Sequence, residues 1–213
     1  MPPSSYLTIA RDGEAETEVK RSRFLCWLRR VEDEDAARRM VEQARKQHWD
    51  ARHHCSAFVL GPDARIRRSH DDGEPSGTAG APMLEVLRGR AVSDVAAVVI
   101  RYFGGTLLGA GGLVRAYSDA VRTALDEVGV VRRRQVRLLD VATGHADAGR
   151  LEHEMRARGV AVCAVEYGER ATLRLGVPLD DLPAIEELLA SATGGAARPR
   201  EVGTDWVDVP ARH

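Results

Sequence analysis

A glycine-rich segment between an apolar run and a helical pattern constrains the fold of this chain more than any other feature. Residues 95–100 are apolar and rich in β-branched side chains, which predicts a buried strand. Residues 112–128 carry apolar side chains at helical spacing, which predicts a helix. The stretch from 104 to 112 is rich in glycine, at Gly104, Gly105, Gly109, Gly111 and Gly112. It is therefore predicted to connect a strand to a helix through backbone that needs positive φ or a close approach.

The spacing of these glycines leaves two interpretations open. A helix N-terminus behind such a loop presents free N–H groups and the positive end of the helix dipole, which favours an anion. Arg115 would lie in the first turn, where a cation disfavours the helix and so indicates a compensating anion or carboxylate. The alternative is a tight structural turn. Ala110 and Val114 occupy the positions where a P-loop needs lysine and a dinucleotide fingerprint needs its third glycine.

Composition limits the class of protein. The chain has 213 residues, 44% apolar and 30% charged, which is typical of one large or two small globular domains. Its net charge of −1 excludes binding to nucleic acid through overall charge. Three widely spaced cysteines without a Cys-x-x-Cys pair predict neither a disulfide framework nor a zinc site. No cofactor is predicted.

The cellular location is predicted by elimination. Residues 1–23 have mixed charge and lack the apolar core of a signal peptide. No apolar run approaches the length of a membrane span. The sequence therefore predicts a cytoplasmic protein with no membrane partner.

Residues 1–133 are predicted to form a first domain of strands and helices. Two short strands, 6–9 and 14–20, flank a turn at Asp12-Gly13. Next come a central strand, a helix with an acidic first turn, another strand and a short helix, at residues 22–31, 32–46, 53–60 and 82–88. Residues 130–135 are predicted to be a charged connector.

Residues 134–213 are predicted to form a second domain. The pattern alternates strands with helices in the order β-α-β-β-α-β, at residues 136–142, 145–158, 160–165, 171–177, 183–192 and 198–209. This order is that of the ferredoxin-like split βαβ fold. The fold class is therefore α+β with two domains, and the second fold alone does not identify a function.

A long polar loop at residues 69–82 supplies further candidates. Asp71, Asp72 and Glu74 have the chemistry of acid–base groups, metal ligands or partners for Arg101 and Arg115. The loop lacks a Gly-x-Ser-x-Gly nucleophile motif, so its serine does not indicate a hydrolase nucleophile. A structured turn held by side-chain hydrogen bonds is the alternative. Adjacent histidines at 53 and 54 point to opposite faces of a strand, so no shared metal is predicted.

Four segments together resemble the YigZ/IMPACT family: Ser22-Arg-Phe24, residues 51–55, residues 71–80 and residues 101–117. The last two are long and specific, and the resemblance covers residues 5–128. The C-terminal part resembles the ferredoxin-like domain of the bacterial branch, which is similar to the last domain of elongation factor G.

The resemblance implies a fold and a field of activity. The first domain is expected to share the β-α-β arrangement of a small-subunit ribosomal protein and the GHMP kinases, with a left-handed crossover, which general topology rules disfavour. Eukaryotic members regulate translation by competing for a co-activator of an initiation-factor kinase. Bacteria lack that system, so the partner does not transfer, whereas a link with translation or nucleic acid does.

The resulting hypothesis is a non-enzymatic, translation-associated binding protein whose partners are RNA, the ribosome or a translation factor. Its ligand-binding residues are predicted to come from the 71–78 loop, the strand ends and the glycine segment: His54, Asp71, Asp72, Glu74, Ser76, Gly77, Thr78, Arg101, Tyr102, Gly104, Gly105, Gly109, Gly111, Gly112 and Arg115. The alternative is a hydrolase or a small phosphometabolite-binding enzyme that uses the 71–78 loop, with a carboxylate base and Arg101 as electrophilic clamp. A protein-binding adaptor is a third hypothesis.

Overall fold

The computed structural model describes residues 3–209 and divides them into two compact units. The first unit ends at Arg132 and the second covers Arg133–Val209. Within the described residues, no helix is long and apolar enough to cross a membrane.

The first unit contains a five-stranded sheet with helices on both faces. Its elements in chain order are β1 (Ser5–Ile9), β2 (Gly13–Val19), β3 (Ser22–Arg30), α1 (Glu34–Gln47), β4 (His53–Leu60), β5 (Ile66–His70), α2 (Gly80–Gly89), β6 (Val95–Tyr102) and α3 (Ala110–Val128). The strand order is β2-β3-β6-β4-β5, and every neighbouring pair is antiparallel. Strands β3 and β4 therefore run parallel, with β6 between them, and α1 makes the crossover. The predicted left-handedness of this crossover stays a prediction.

Strand β6 is buried on both faces, which explains the unbroken apolar run from 95 to 100. Val95, Ala97 and Val99 pack into the core formed with α2 and α3. Their neighbours Val98 and Ile100 pack into a second core under α1. Because alternate residues of a strand face opposite ways, a strand covered on both sides needs apolar side chains at every position.

The second unit has the predicted ferredoxin-like fold. Its elements are β7 (Val130–Thr143, beginning just before the division), α4 (His145–Ala157), β8 (Ala161–Tyr167), β9 (Ala171–Val177), a short 3₁₀ turn (Leu179–Asp181), α5 (Leu182–Thr193) and β10 (Arg200–Val209). Strand β7 pairs with both β9 and β10, and β9 pairs with β8, so the order is β10-β7-β9-β8. Leu151, Met155 and Leu189 of the helices pack on Leu173 and Leu175 of the sheet.

One local expectation was confirmed and another was wrong. Strands flank Asp12-Gly13 as predicted, at Ser5–Ile9 and Gly13–Val19, and β2 pairs with β3 and not with β1. Asp12 accepts a hydrogen bond from Arg30 N at 2.8 Å and Ala10 N donates to Gly129 O at 3.0 Å, so long-range bonds redirect the chain here. Residues 130–135 are the start of β7 and not a connector, because strand pairing outweighs their charge.

Candidate functional site

A cavity of about 320 Å³ lies at the start of α3, where β6 ends and β4 begins. His53 is paired with Arg101 across these two strands, so both side chains reach the same end of the sheet. Its charged and titratable lining consists of Arg52, His53, Glu74 and Arg101. Its remaining lining consists of Pro75, Phe103, Leu107, Leu108, Gly109, Ala110 and Leu113.

The N-terminus of α3 opens into this cavity. Gly109 precedes the helix with φ of 70°, and within the described chain no side chain caps the first turn. Leu113 N already bonds to Gly109 O at 2.9 Å, which leaves the amides before it as free donors. A long helix with an uncapped first turn carries a partial positive charge at that end, so this floor of the cavity favours an anion.

A buried ion pair forms the inner wall. Glu74 Oε1 accepts hydrogen bonds from Arg101 Nη1 at 2.6 Å and from the Tyr117 hydroxyl at 2.7 Å. The Glu74 and Arg101 side chains are only 4% and 7% exposed. His53 Nε2 lies 4.0 Å from the same carboxylate oxygen. Glu74 therefore fixes the position of the Arg101 guanidinium.

One nitrogen of the Arg101 guanidinium is not hydrogen-bonded to Glu74. Arg101 Nε is buried and has no hydrogen-bond partner among residues 3–209. The guanidinium carbon lies 5.5 Å from the ring centre of Phe24 and 5.7 Å from that of Phe103. A buried donor without a partner costs stability, so a ligand atom that accepts a hydrogen bond from Nε would remove that cost.

Asp71 holds the preceding loop to the start of α2. Its carboxylate accepts hydrogen bonds from Gly77 N at 2.8 Å, Ala79 N at 3.1 Å and Gly80 N at 2.8 Å. Burial opposes ionisation of this carboxyl, but the bonds from Gly77, Gly80 and Ala79 outweigh it and lower the Asp71 pKa. Asp71 therefore acts as a structural clamp.

Replacing Asp71 with asparagine should lower the free energy of unfolding by about 1–3 kcal/mol at neutral pH, because the amide cannot accept all three bonds. The folded-state pKa lies below the unfolded value of about 3.9, so the carboxylate stabilises the fold above that value. This contribution is lost as pH falls through the folded value. Urea unfolding of both proteins should therefore give a difference that shrinks below about pH 4.

The matched control for this prediction is Asp119→Asn, since Asp119 is an exposed carboxylate on α3. That change should alter the free energy of unfolding by less than about 0.5 kcal/mol. A difference for Asp71→Asn that persists unchanged into acid would contradict the clamp.

Asp72 and His54 lie on the far side of β4 from the cavity. Asp72 bonds to Arg45 at 2.5 Å and to the His54 backbone N–H at 2.7 Å. The His54 ring bonds to His48 O at 3.0 Å, and burial lowers the pKa of this histidine. Asp72 therefore links the 69–82 loop to Arg45 of α1 and to β4, and His54 links β4 to His48 at the end of α1.

The glycines have distinct roles. Gly104 lies against the backbone of Arg21 and Ser22, where a Cβ atom would overlap both. Gly105 and Gly109 have positive φ, and Gly111 faces open space. The close approach and the open helix start, which the sequence offered as alternatives, occur together in one segment.

The structure brings together only part of the predicted set. Glu74, Arg101 and Gly109 line the cavity. Tyr102 instead contacts His48, with its hydroxyl 2.7 Å from Nδ1. Ser76, Gly77 and Thr78 lie in the loop beyond Glu74; Ser76 and Gly77 are exposed, and Thr78 is buried, with its hydroxyl donating to Pro75 O at 2.6 Å. Gly112 lies within α3, and Arg115 is exposed on α3 outside the cavity lining.

Sequence reasoning missed Arg52, His53 and Phe103 as cavity residues. The signal was present, because 51–55 and 101–117 are neighbouring strand ends in any antiparallel pairing of β4 with β6. The choice of His54 over His53 placed the expected side chain on the opposite face of the strand.

The site offers little for metal or nucleophilic chemistry. No group of three or more His, Cys, Asp or Glu side chains in the described ranges is arranged to hold a metal ion. Burial raises the pKa of Cys55 to about 12, although its hydrogen bond with Tyr117 acts in the opposite direction. A thiol with that pKa is not ionised at neutral pH and is a poor nucleophile.

Comparisons with known proteins agree with this architecture. The family model of the Impact N-terminal domain matches residues 20–125, and that of a domain of unknown function, DUF1949, matches residues 141–196. A crystal structure of a hypothetical protein aligns with a TM-score of 0.63 at 34% identity, over 94% of this chain and 98% of that one.

Two bacterial relatives are informative. The IMPACT family member YigZ of Escherichia coli (strain K12) is 46% identical over 131 residues, which are 61% of this chain and 64% of that protein. The IMPACT family member YvyE of Bacillus subtilis (strain 168) is 39% identical over 209 residues, 98% of this chain and 96% of that protein. Similarity of this extent over almost the whole length shows that the chain belongs to the IMPACT family.

Proposed function

We propose that this protein is a non-enzymatic binding protein of the translation system that holds a phosphate group of RNA, free or on the ribosome, at the start of α3. Membership of the IMPACT family supports the link with translation only in general terms. The observation that carries the proposal is the buried Arg101, whose Nε lacks a hydrogen-bond partner within residues 3–209 and lies beside a helix N-terminus that none of these residues caps. A phosphate oxygen would accept from both.

The charges around the cavity favour an anion over a cation. Glu74 is the acidic side chain in the lining, and its charge is already matched by Arg101. Arg52 is exposed at the mouth and adds a further positive charge. The net field at the start of α3 is therefore positive, although the whole chain has a net charge of −1.

The same geometry favours binding over hydrolysis. Asp71 uses its carboxylate on three backbone amides, and Asp72 is held by Arg45 and a backbone N–H. Neither carboxylate lines the cavity. The candidates for a general base in the 71–78 loop thus serve its structure.

The proposed domain division is part of this interpretation. It assigns residues 1–133 to the ligand-binding domain. It assigns residues 134–213 to the ferredoxin-like domain, whose resemblance to the last domain of elongation factor G supports a partner in translation.

The expected result of reversing the cavity-mouth charge, Arg52→Glu, is about tenfold weaker binding of a fluorescein-labelled RNA, since one phosphate contact is replaced by repulsion. Fluorescence anisotropy with the full chain, at about 50 mM and about 200 mM salt, measures the affinity and its salt dependence. Arg39→Glu is the matched control, because Arg39 is an exposed arginine on α1 outside the cavity.

A third variant, Arg115→Glu, tests the location of the site. Arg115 lies outside the cavity lining, so its reversal should change the affinity by less than about twofold. A loss at Arg115 equal to that at Arg52, or RNA affinity without salt dependence, would contradict a phosphate site in this cavity.

A further inference from the structure

A partly exposed aromatic ring lies near two guanidinium groups in the lining of the cavity. Phe103 is 41% exposed, although it is a large apolar side chain that follows a buried strand. Its ring centre lies 5.8 Å from the Arg52 guanidinium carbon and 5.7 Å from that of Arg101. Guanidinium groups against an aromatic ring fix its orientation, so the ring offers a held planar surface next to the anion site.

Two further apolar side chains near this end of the sheet are exposed to solvent. Leu107, in the same glycine loop, is 84% exposed. Trp49, in the turn that leads into β4, is 81% exposed. The turn lies near the end of β6, since Asp50, next to Trp49, accepts a bond from the hydroxyl of Tyr102, the last residue of β6, at 3.4 Å. Single exposed apolar residues are ordinary, whereas two in the lining of one cavity, Phe103 and Leu107, indicate a contact surface.

Two cations flank the glycine loop on its other side. Lys20 and Arg21 form the two-residue turn between β2 and β3, and both are exposed. Their φ values are 47° and 66°, in the left-handed region that such turns usually fill with asparagine or glycine. Gly104 packs directly on the backbone of Arg21, so this turn is attached to the loop. Positive charge therefore lies on both sides of the exposed ring.

Taking the phosphate site of the proposed function as given, we infer that the ligand is a single-stranded nucleic acid with an unpaired base stacked on Phe103. Its backbone would run between the Lys20-Arg21 turn and Arg52, with one phosphate at the start of α3. Unpaired bases expose the flat faces that aromatic side chains stack on, while the cations follow the phosphates. In a duplex those faces are covered by neighbouring bases. An acidic peptide would use the cations and leave the ring without a planar partner.

The test compares single and double strands with the intact chain. Labelled single-stranded RNA of about 12 nucleotides and the matching duplex are titrated at about 50 mM salt by fluorescence anisotropy. The single strand should bind about tenfold more tightly than the duplex. Phe103→Leu, which keeps apolar volume but removes the flat ring, should weaken single-strand binding about tenfold and leave duplex binding unchanged.

Two further arms complete the test. Tyr167→Leu removes an exposed aromatic ring of the second unit, 66% exposed, and should leave the affinity unchanged. Polyglutamate serves as the acidic-peptide competitor and should not displace the single strand.

Equal affinity for single strand and duplex, no effect of Phe103→Leu, or displacement by polyglutamate would overturn the inference. If Arg52→Glu still weakens binding in that case, the phosphate site of the proposed function survives. Absence of binding to both RNAs would remove the inference and the proposed function together.

Discussion

Replacing Glu74 with alanine should lower the free energy of unfolding by about 3–5 kcal/mol, the largest effect that we expect from a single change at the site. The side chains of Glu74 and Arg101 are 4% and 7% exposed, so the ion pair is desolvated. Removing the carboxylate leaves a buried guanidinium without its counter-charge and a Tyr117 hydroxyl without its acceptor. Water hydrates both groups in the unfolded chain, whereas the folded variant buries them without replacing those hydrogen bonds.

Urea denaturation of the full chain, followed by circular dichroism, measures this loss. Glu85→Ala is the matched control, because Glu85 is an exposed carboxylate on α2 that pairs with Arg88 and should change stability by less than about 0.5 kcal/mol. Glu74→Gln should give an intermediate loss, since the amide oxygen still accepts a hydrogen bond. A loss below about 1 kcal/mol for Glu74→Ala would show that water reaches the pair.

The same variant reports on the anion site. Arg101 without Glu74 is a cation that faces an open cavity, so an added anion of suitable size would take the place of the lost carboxylate. Phosphate should therefore stabilise Glu74→Ala more than the unchanged protein, because a ligand stabilises the state that binds it more tightly. Equal stabilisation of both proteins would indicate that phosphate does not reach Arg101.

The local patterns were sufficient to predict most elements of the fold. The apolar run at 95–100 and the order of elements after residue 136 each had one reasonable interpretation. Pairing partners were harder to predict. Strand β2 pairs with β3 and not with the preceding β1, and nothing within residues 6–20 encodes that choice. Long-range strand pairing therefore determined the partner of β2, where the local sequence was compatible with two partners.

The candidate site was partly predictable for a similar reason. An anion at the helix start was one of two interpretations of the strand-to-helix glycine segment, and Arg101 lies at that point. Arg115 was predicted to be a second cation at this site. That prediction did not consider which face of α3 carries residue 115. Leu113, Ala116 and Tyr117 are buried, which turns residue 115 to the solvent side of α3. Arg52 is the second arginine in the cavity lining, because the start of β4 lies beside the end of β6. Spacing along the chain does not reveal this pairing.

The pairing of Arg101 with Glu74 was also beyond local patterns. They are 27 positions apart in the sequence, and an acidic residue in a polar loop normally lies in solvent. Tyr117, on the helix that follows the glycine segment, completes the wall from a third element. Two segments of the family resemblance, 71–80 and 101–117, thus meet at one carboxylate.

Substituting alanine at Gly104 should destabilise the protein by about 3 kcal/mol, the upper part of the range for overpacking. The added Cβ atom would overlap the Arg21 carbonyl and the Ser22 amide, and backbone atoms cannot rotate away as a side chain tip does. The hydrogen bond from Gly104 N to Ser22 Oγ, 3.1 Å long, would have to stretch as the loop moved off. The same displacement should weaken RNA binding, because Phe103 precedes Gly104 directly.

Gly111→Ala is the control that separates close packing from general loss of glycine. Its Cβ would meet open space in the first turn of α3, so the change should be neutral or stabilise the helix by up to about 1 kcal/mol. Urea denaturation of both variants measures the contrast. If the two substitutions cost the same, flexibility of the whole segment would explain the glycines, and the approach of Gly104 to Arg21 would not. A large loss at Gly104 with no loss at Gly111 would assign Gly104 to packing and leave Gly111 at the open helix start.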